Sequence, residues 1–256
     1  MNLFRFGSLP VPHAVSTRQG GLSDGPYASL NVGYGTDDAE ERVTGNRLLL
    51  LQSLGIAPEA VIAGRLSHGN AVTVFRRGQE SPEVERPVRA GSTHRDRAFL
   101  SDAAVSDVPG LYVFLTFADC VPLLFHDPVR EVVGAAHAGW RGTAAGIARH
   151  TIAAMCDAFG CRPADIRGAI GPSIGPCCYT VGSDVCTEFR ARGNPPIMRG
   201  HHLDLWAGNE VQMRDAGVTL VETAGLCTAC HTDLFFSHRA ESGRTGRFAL
   251  VAGLRA

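Results

Sequence analysis

Apolar positions fall into short runs of strand length, separated by glycine-rich turns and a few longer amphipathic segments. "LYVFLTF" (111–117), "VPLLF" (121–125) and "EVVGAAH" (131–137) are apolar almost throughout, the pattern of strands covered on both faces. Residues 61–75 predict a strand, a turn at "SHGN" and a second strand, "AVTVF". Further short strands are predicted at "IRGAI" (166–170), "VTLVET" (218–223), "DLFFSH" (233–238) and "RFALVAGL" (247–254). Helical patterns are fewer. One follows Asp38 through "AEERVTGNRLLLLQSL", acidic at its start and with Gly55 near its end. A second has Thr143 as cap, carries Ile147, Thr151, Met155 and Phe159, and closes at Gly160. Others start near Asp184 and after "HLDLW" (202–206). Residues 16–38 read as turns, and the charged stretch 76–97, with two prolines, reads as a solvated loop. Strands and helices without regular alternation, repeats or a linker predict an α+β or irregular α/β fold.

The chain has 256 residues, 45% of them hydrophobic. That supports one sizeable core, or at most two closely packed subdomains. The formal net charge of −1 gives no strong field to attract nucleic acid or an anionic membrane, so a small-molecule partner is expected. The N-terminus lacks the apolar core of a signal peptide, and no apolar run reaches membrane-spanning length. A cytoplasmic location is the expectation, with the eight cysteines mostly reduced.

Cys120 and His137 stand at or near predicted strand ends, where rigid elements hold side chains well, and thiolate and imidazole are good zinc ligands. His68, in the turn beside Gly69, is the best candidate for a third ligand. Three protein ligands leave a fourth position for water or substrate. Against this stands the plainer reading, in which a lone cysteine fills core and a lone histidine is a satisfied polar group. After His137, Gly139 and Gly142 turn the chain into a helix with Arg141 inside it. Helix-start N–H groups and an arginine can cradle an anion, although a solvated Arg141 and a core Trp140 would give the same pattern. Asp119 points away from Cys120 if the chain is extended; alternatively it orients a ligand histidine or acts as a general base. "CTACH" (227–231) fits the C-x-x-C-H pattern of covalent haem, but with no export signal Cys227 and Cys230 read as core or second-site thiols. The adjacent Cys177 and Cys178 read as a loop feature, since vicinal cysteines rarely reach unstrained disulfide geometry. G-x-S-x-G, P-loop and H-E-x-x-H patterns are absent.

At these residues the chain resembles the YfiH-type family, also named the multicopper polyphenol oxidase or laccase-domain family. "STRQGGLS", "SLNVGYGTDD", "NRLLL", "SHGNAV", "DAAVSD", "TFADCVPLLFHDP", "AAHAGWRGT", "GPSIGPCCYTVG", "CTACHTDLFFSHR" and "TGRFA" run in family order over nearly the whole chain. The resemblance implies one α+β domain over 1–256, with layered mixed β-sheets flanked by helices. It implies a metal site at His68, Cys120 and His137, holding zinc, with copper as the other metal. It further implies catalytic roles for Cys120, Asp119 and Arg141, and substrate binding by Arg47 and Arg141. The implied activities are phosphorolysis of adenosine, inosine and methylthioadenosine and deamination of adenosine, with nucleoside and phosphate as partners. The alternatives are amide hydrolysis in a cytoplasmic peptidoglycan precursor and copper-linked phenol oxidation. The chain departs from the family pattern at Leu66 and Ser67, where Gln-Val is usual, at Ser106 in place of Thr, and in the length of 76–97.

Overall fold

Strands that are apolar on both faces need cover on both faces, and the fold supplies it in four layers. The computed structural model describes all residues except 81, 83, 88–94 and 195. Its strands are β1 (Leu3–Phe4), β2 (His13–Ser16), β3 (Val61–Gly64), β4 (Val72–Phe75), β5 (Val84–Pro87), β6 (Arg95–Phe99), β7 (Ala103–Ser106), β8 (Tyr112–Phe117), β9 (Val121–Asp127), β10 (Val132–Ala138), β11 (Arg167–Ile170), β12 (Met198–Arg199), β13 (His202–Leu203), β14 (Leu220–Thr223) and β15 (Phe248–Gly253). The helices are α1 (Glu40–Leu54), α2 (Trp140–Ala144), α3 (Ile147–Phe159), α4 (Ser183–Ala191) and α5 (Leu205–Asp215). One sheet has the order β1-β2-β15-β8-β3-β6-β5 and the other β14-β11-β9-β10-β7-β4, with β12 and β13 forming a small ribbon. Both large sheets are mixed: β3 runs parallel to β8, β4 to β7 and β11 to β14, while β10 is antiparallel to β9. This is the expected α+β arrangement of layered mixed sheets flanked by helices.

Side-chain alternation sorts the core. Val113, Leu115 and Phe117 of β8 meet Leu124 of β9 and Val133 and Ala135 of β10 between the sheets. The intervening residues face outward: Phe114 packs with Leu50 and Leu51 of α1, and Leu123, Phe125 and Ala136 pack with Ile152 and Met155 of α3 and Met213 of α5. His137 follows Val133 and Ala135 at the same parity, so it belongs to the face between the sheets, where its ring lies 5.4 Å from that of Phe117.

The chain changes sheets repeatedly at one seam. It passes from β3 to β4 through residues 65–71, from β6 to β7 through 100–102, and from β8 to β9 through 118–120. The strands predicted on either side of "SHGN" are thus present but lie in different sheets.

Three expectations need correction. Residues 76–97 are not simply loop, since β5 pairs antiparallel with β6 at the sheet edge; part of the stretch lies outside the described residues. Thr143 does not cap the long helix. Gly146 takes a left-handed conformation (φ 79°) that separates α2 from α3, and the Thr143 hydroxyl instead accepts from Asn209 of α5. Gly160 does close α3, in the left-handed conformation that favours glycine. "DLFFSH" is not a strand: Leu234 and Phe235 donate to the His231 carbonyl in a local turn, and adjacent Phe235 and Phe236 enter the same core.

Leu124→Ala, which empties part of the buried layer between the sheets, is expected to cost about 2–5 kcal/mol. The exposed Leu48→Ala should stay within about 0.5 kcal/mol of the parent. Denaturant midpoints compare them, and equal losses would contradict the layering.

Candidate metal centre

All three candidate ligands sit at the seam: His68 in the first crossover, Cys120 in the third, and His137 at the end of β10, opposite Pro122 of β9. Their donor atoms lie within 4.8 Å of one another, and the two imidazoles stand perpendicular with ring centroids 5.0 Å apart. The backbone is bent to achieve this. His68 (φ 61°) and Asp119 (φ 83°) both occupy the left-handed region, which is uncommon for residues with a Cβ and is held only by the surrounding contacts. Gly139 makes the space, since a Cβ there would lie 3.0 Å from the Cys120 sulfur and 3.7 Å from the His68 ring.

The group that organises these ligands is Asp102, fully buried in the second crossover. Its Oδ1 accepts from the His68 N–H (2.9 Å) and His137 Nδ1 (3.1 Å). Its Oδ2 accepts from the Ser67 N–H, the Ser67 hydroxyl and the Gly69 N–H. Burial alone would raise the carboxyl pKa, but His137, Gly69 and Ser67 hold it well below the usual carboxylate range. An ionised carboxylate only accepts, so His137 carries its proton on Nδ1 and leaves Nε2 as a ligand atom. The sequence reading missed Asp102, although its "DAAVSD" setting, a carboxylate at the mouth of an apolar strand, was a signal. The histidine-orienting role considered for Asp119 belongs to Asp102. Asp119 instead ties loops together: Oδ1 accepts from the Thr228 and Ser237 hydroxyls, and Oδ2 from the Arg239 N–H.

Burial would push the Cys120 thiol up, but the neighbouring His137 and hydrogen bonds from His137 and His68 bring it down to about 6. Burial would push His137 down, and the Cys120 sulfur and Asp102 raise it to about 9. This donor set suits a metal cation: a thiolate, a buried imidazole with its far nitrogen anchored, and a second imidazole, converging on one point with space beside them.

That space is a cavity of about 500 Å³ lined by Arg141, Arg239, Arg247, Tyr179, Leu66 and Leu205, among others, together with all three ligands and Asp119. Arg141 reaches it from α2, with its guanidinium 4.2 Å from the Trp140 ring. Arg239 lies over Tyr179 and donates to Thr180. Arg239, Arg247 and Tyr179 were not singled out from sequence, because they come from distant loops. Arg47 does not join the site. It lines a different cavity, where it donates to the Val32 carbonyl and Asp96 and stacks on Tyr34 and Phe114.

Asp102→Asn keeps the side-chain shape but sets an amide nitrogen against donors. It is expected to weaken metal affinity about 10- to 100-fold while the protein stays folded, as competition with a chromophoric chelator would measure; unchanged affinity would remove Asp102 from the centre. In metal-stripped protein, Cys120 should alkylate with a midpoint near 6, well below the roughly 8.5 of a free thiol. The thiolate–imidazolium pair stabilises the metal-free fold between the two shifted values. Its contribution is lost as pH falls through the thiol's value and as pH rises through that of His137. A midpoint near 8.5 at the Cys120 peptide would refute the pairing.

Known proteins share this framework. A purine nucleoside phosphorylase from Geobacillus stearothermophilus, YlmD, is 38% identical, with 98% of this chain and 94% of the relative covered. A purine nucleoside phosphorylase from Deinococcus radiodurans is also 38% identical, over 98% of this chain and 92% of its own length. The crystal structure of YlmD from G. stearothermophilus superposes with a TM-score of 0.86 at 35% identity, covering 100% of this chain and 97% of that one. The YfiH protein of Bacillus licheniformis gives 0.84 at 35% identity, over 95% and 92%. Residues 12–255 match the family model described as multi-copper polyphenol oxidoreductase laccase, and the chain belongs to that family.

Proposed function

We propose that this protein is a zinc-dependent purine nucleoside phosphorylase, acting on adenosine, inosine and methylthioadenosine and also deaminating adenosine, with residues 1–256 as one catalytic unit. The observation that carries the reading is a single cavity that joins a three-donor metal centre to three arginines. Relatives named purine nucleoside phosphorylase support it. In phosphorolysis, a phosphate oxygen bonds to the ribose anomeric carbon as the bond from that carbon to the purine breaks. Arg141, Arg239 and Arg247 supply charge that holds and orients phosphate. Burial, and then the Cys120 sulfur, push the Tyr179 phenol up to about 12, so it stays protonated and acts as a donor to substrate. Asp119 is a positioning residue that fixes Arg239 and the connector bearing Cys120. His68, Cys120 and His137 would hold the zinc, which supplies Lewis-acid polarisation. Zinc is chosen over copper because three ligands leave an open position, as in catalytic zinc sites, and among the described residues no methionine lines the cavity to serve as the axial ligand of an electron-transfer copper site. Among the described residues no helix is long and apolar enough to cross a membrane.

The test is a nucleoside panel with and without phosphate, following free base, ribose 1-phosphate and ammonia. Base release should require phosphate. Cys120→Ser should lose the metal of this centre and turnover together, whereas Arg141→Ala should keep that metal and lose about 10- to 100-fold in kcat/KM, as expected for one charge-assisted contact of about 1.5–3 kcal/mol. Base release indifferent to phosphate, or a Cys120→Ser protein that binds as much metal as the parent yet has no turnover, would overturn the assignment. The latter result would make Cys120 a nucleophile, and amide hydrolysis of a cell-wall precursor would show no phosphate requirement.

A further inference from the structure

A second set of thiols converges outside the centre described above. Cys177 and Cys178, in the loop after β11, meet Cys227 and Cys230, in the loop after β14, and all four sulfurs lie within 4.8 Å of one another. The Cys230 sulfur is 3.6 Å from that of Cys177 and 3.4 Å from that of Cys178. We propose that these four cysteines form a closed tetrathiolate site for a single zinc ion, separate from the His68–Cys120–His137 centre. The proposal goes beyond the phosphorylase reading and does not depend on it.

The spacing fits one ion. Zinc–sulfur bonds of about 2.3 Å in a tetrahedron place the sulfurs about 3.8 Å apart. The four thiolates of a [2Fe–2S] or [4Fe–4S] cluster are spread over two or four iron atoms, so they do not all stand this close together. The backbone explains how neighbours in sequence can share a ligand. The N–H groups of Cys178 and Tyr179 both donate to the Gly175 carbonyl, so the adjacent cysteines lie in a helical turn. Successive side chains there diverge by about 100° rather than the near-opposition of a strand. On the other loop, the N–H groups of Cys230 and His231 donate to the Cys227 carbonyl, which turns the two ends of the C-x-x-C toward one side.

The loops are also fastened to each other. Ser173 donates to the Leu226 carbonyl and Thr228 to the Ser173 carbonyl, and the Gly175 N–H donates to the Cys227 sulfur at 3.2 Å. Only glycine fits at 175, where a Cβ would come within 2.7 Å of Trp206 and 3.2 Å of the Cys227 Cβ. The Gly175 N–H aimed at the Cys227 sulfur favours thiolate there, and four sulfurs this close can all be thiolates only around a cation, which a divalent ion supplies. Four protein ligands leave no open position, the pattern of structural zinc. The site would brace the loop carrying Ile174 and Tyr179, both in the cavity wall, to the loop whose Thr228 hydroxyl holds Asp119.

The test uses full-length Cys120→Ser, which retains all four cysteines. Reduced, loaded with excess zinc and gel-filtered, it should hold about one zinc per chain where the parent holds about two. Loaded with cobalt(II), it should show sulfur-to-cobalt charge transfer and the intense visible bands of a tetrahedral thiolate site. Bound metal should shield Cys177, Cys178, Cys227 and Cys230 from iodoacetamide, and a chelator should restore their labelling. Adding Cys177→Ser and Cys230→Ser should abolish the cobalt bands. A Cys120→Ser protein that takes up no metal, metal uptake that leaves the four thiols freely alkylated, a disulfide among them that persists under reductant, or copper as the ion retained from the cell would overturn the proposal.

Discussion

The Asp102 carboxylate is the contact on which the arrangement of the three candidate metal ligands rests. A fully buried charge is tolerated only when hydrogen-bonded on every side. Here five donors surround it, from Ser67, His68, Gly69 and His137. Those donors come from the first crossover and from the end of β10, and the carboxylate itself comes from the second crossover. One side chain therefore fixes where His68 leaves the backbone, which way the His137 ring turns, and how two sheet-to-sheet connections lie against each other. The Asp102 carbonyl adds a sixth hydrogen bond by accepting from the His137 N–H at 2.7 Å. Removing the charge would strand several donors in the interior, so the fold and the ligand geometry share a cause.

The seam is a natural place for such a group. Within either sheet the strand ladders satisfy the backbone, but where the chain leaves one sheet for the other its N–H groups need other partners. The first crossover gives three of them to Asp102. At the third crossover Asp119 instead draws in other loops, its carboxylate accepting from the Thr228 and Ser237 hydroxyls and the Arg239 N–H and its carbonyl from the Ile174 N–H. A buried carboxylate thus acts at two crossings, and the candidate ligands are fixed with them: the His68 N–H donates to Asp102, and Cys120 follows Asp119 in the chain. The strained left-handed backbone at His68 and Asp119 persists because these bonds over-determine it.

What the sequence made legible follows from the range of each interaction. Strand runs such as 111–117 and 121–125 are local apolar patterns, and they appear as β8 and β9. Cys120 and His137 stood out as candidates because thiolate and imidazole side chains near strand ends are chemically conspicuous, with His68 added from the turn beside Gly69, and the fold brings the three together. Asp102, Arg239 and Arg247 were not, because aspartate and arginine are common surface residues and only the topology shows that these reach the interior. Arg47, which the resemblance assigned to substrate binding, lines a different cavity, where its guanidinium is committed to Asp96 and two rings. Thr143 and "DLFFSH" failed because tertiary partners, Asn209 in one case and the shared core of Phe235 and Phe236 in the other, overrode local propensity.

The departure at residue 66 acquires a meaning from the cavity it lines. Where the resemblance has glutamine, Leu66 offers no hydrogen bond. Its side chain packs against the core between the sheets, and its Cδ2 would lie 3.3 Å from a Cβ at Gly64. The cavity thus joins apolar side chains, Leu66, Ile174 and Leu205, to the cationic Arg141, Arg239 and Arg247. A planar purine prefers the first kind of surface and a phosphate the second. An amide at 66 could read hydrogen-bonding groups on a substrate, whereas leucine contributes area alone. Discrimination between substrates that differ by one polar group is weak against an apolar wall and strong against a built hydrogen bond. Under the proposed phosphorylase reading, leucine at 66 would shift this wall toward accepting a range of bases, while the candidate metal ligands and the arginines would stay as they are.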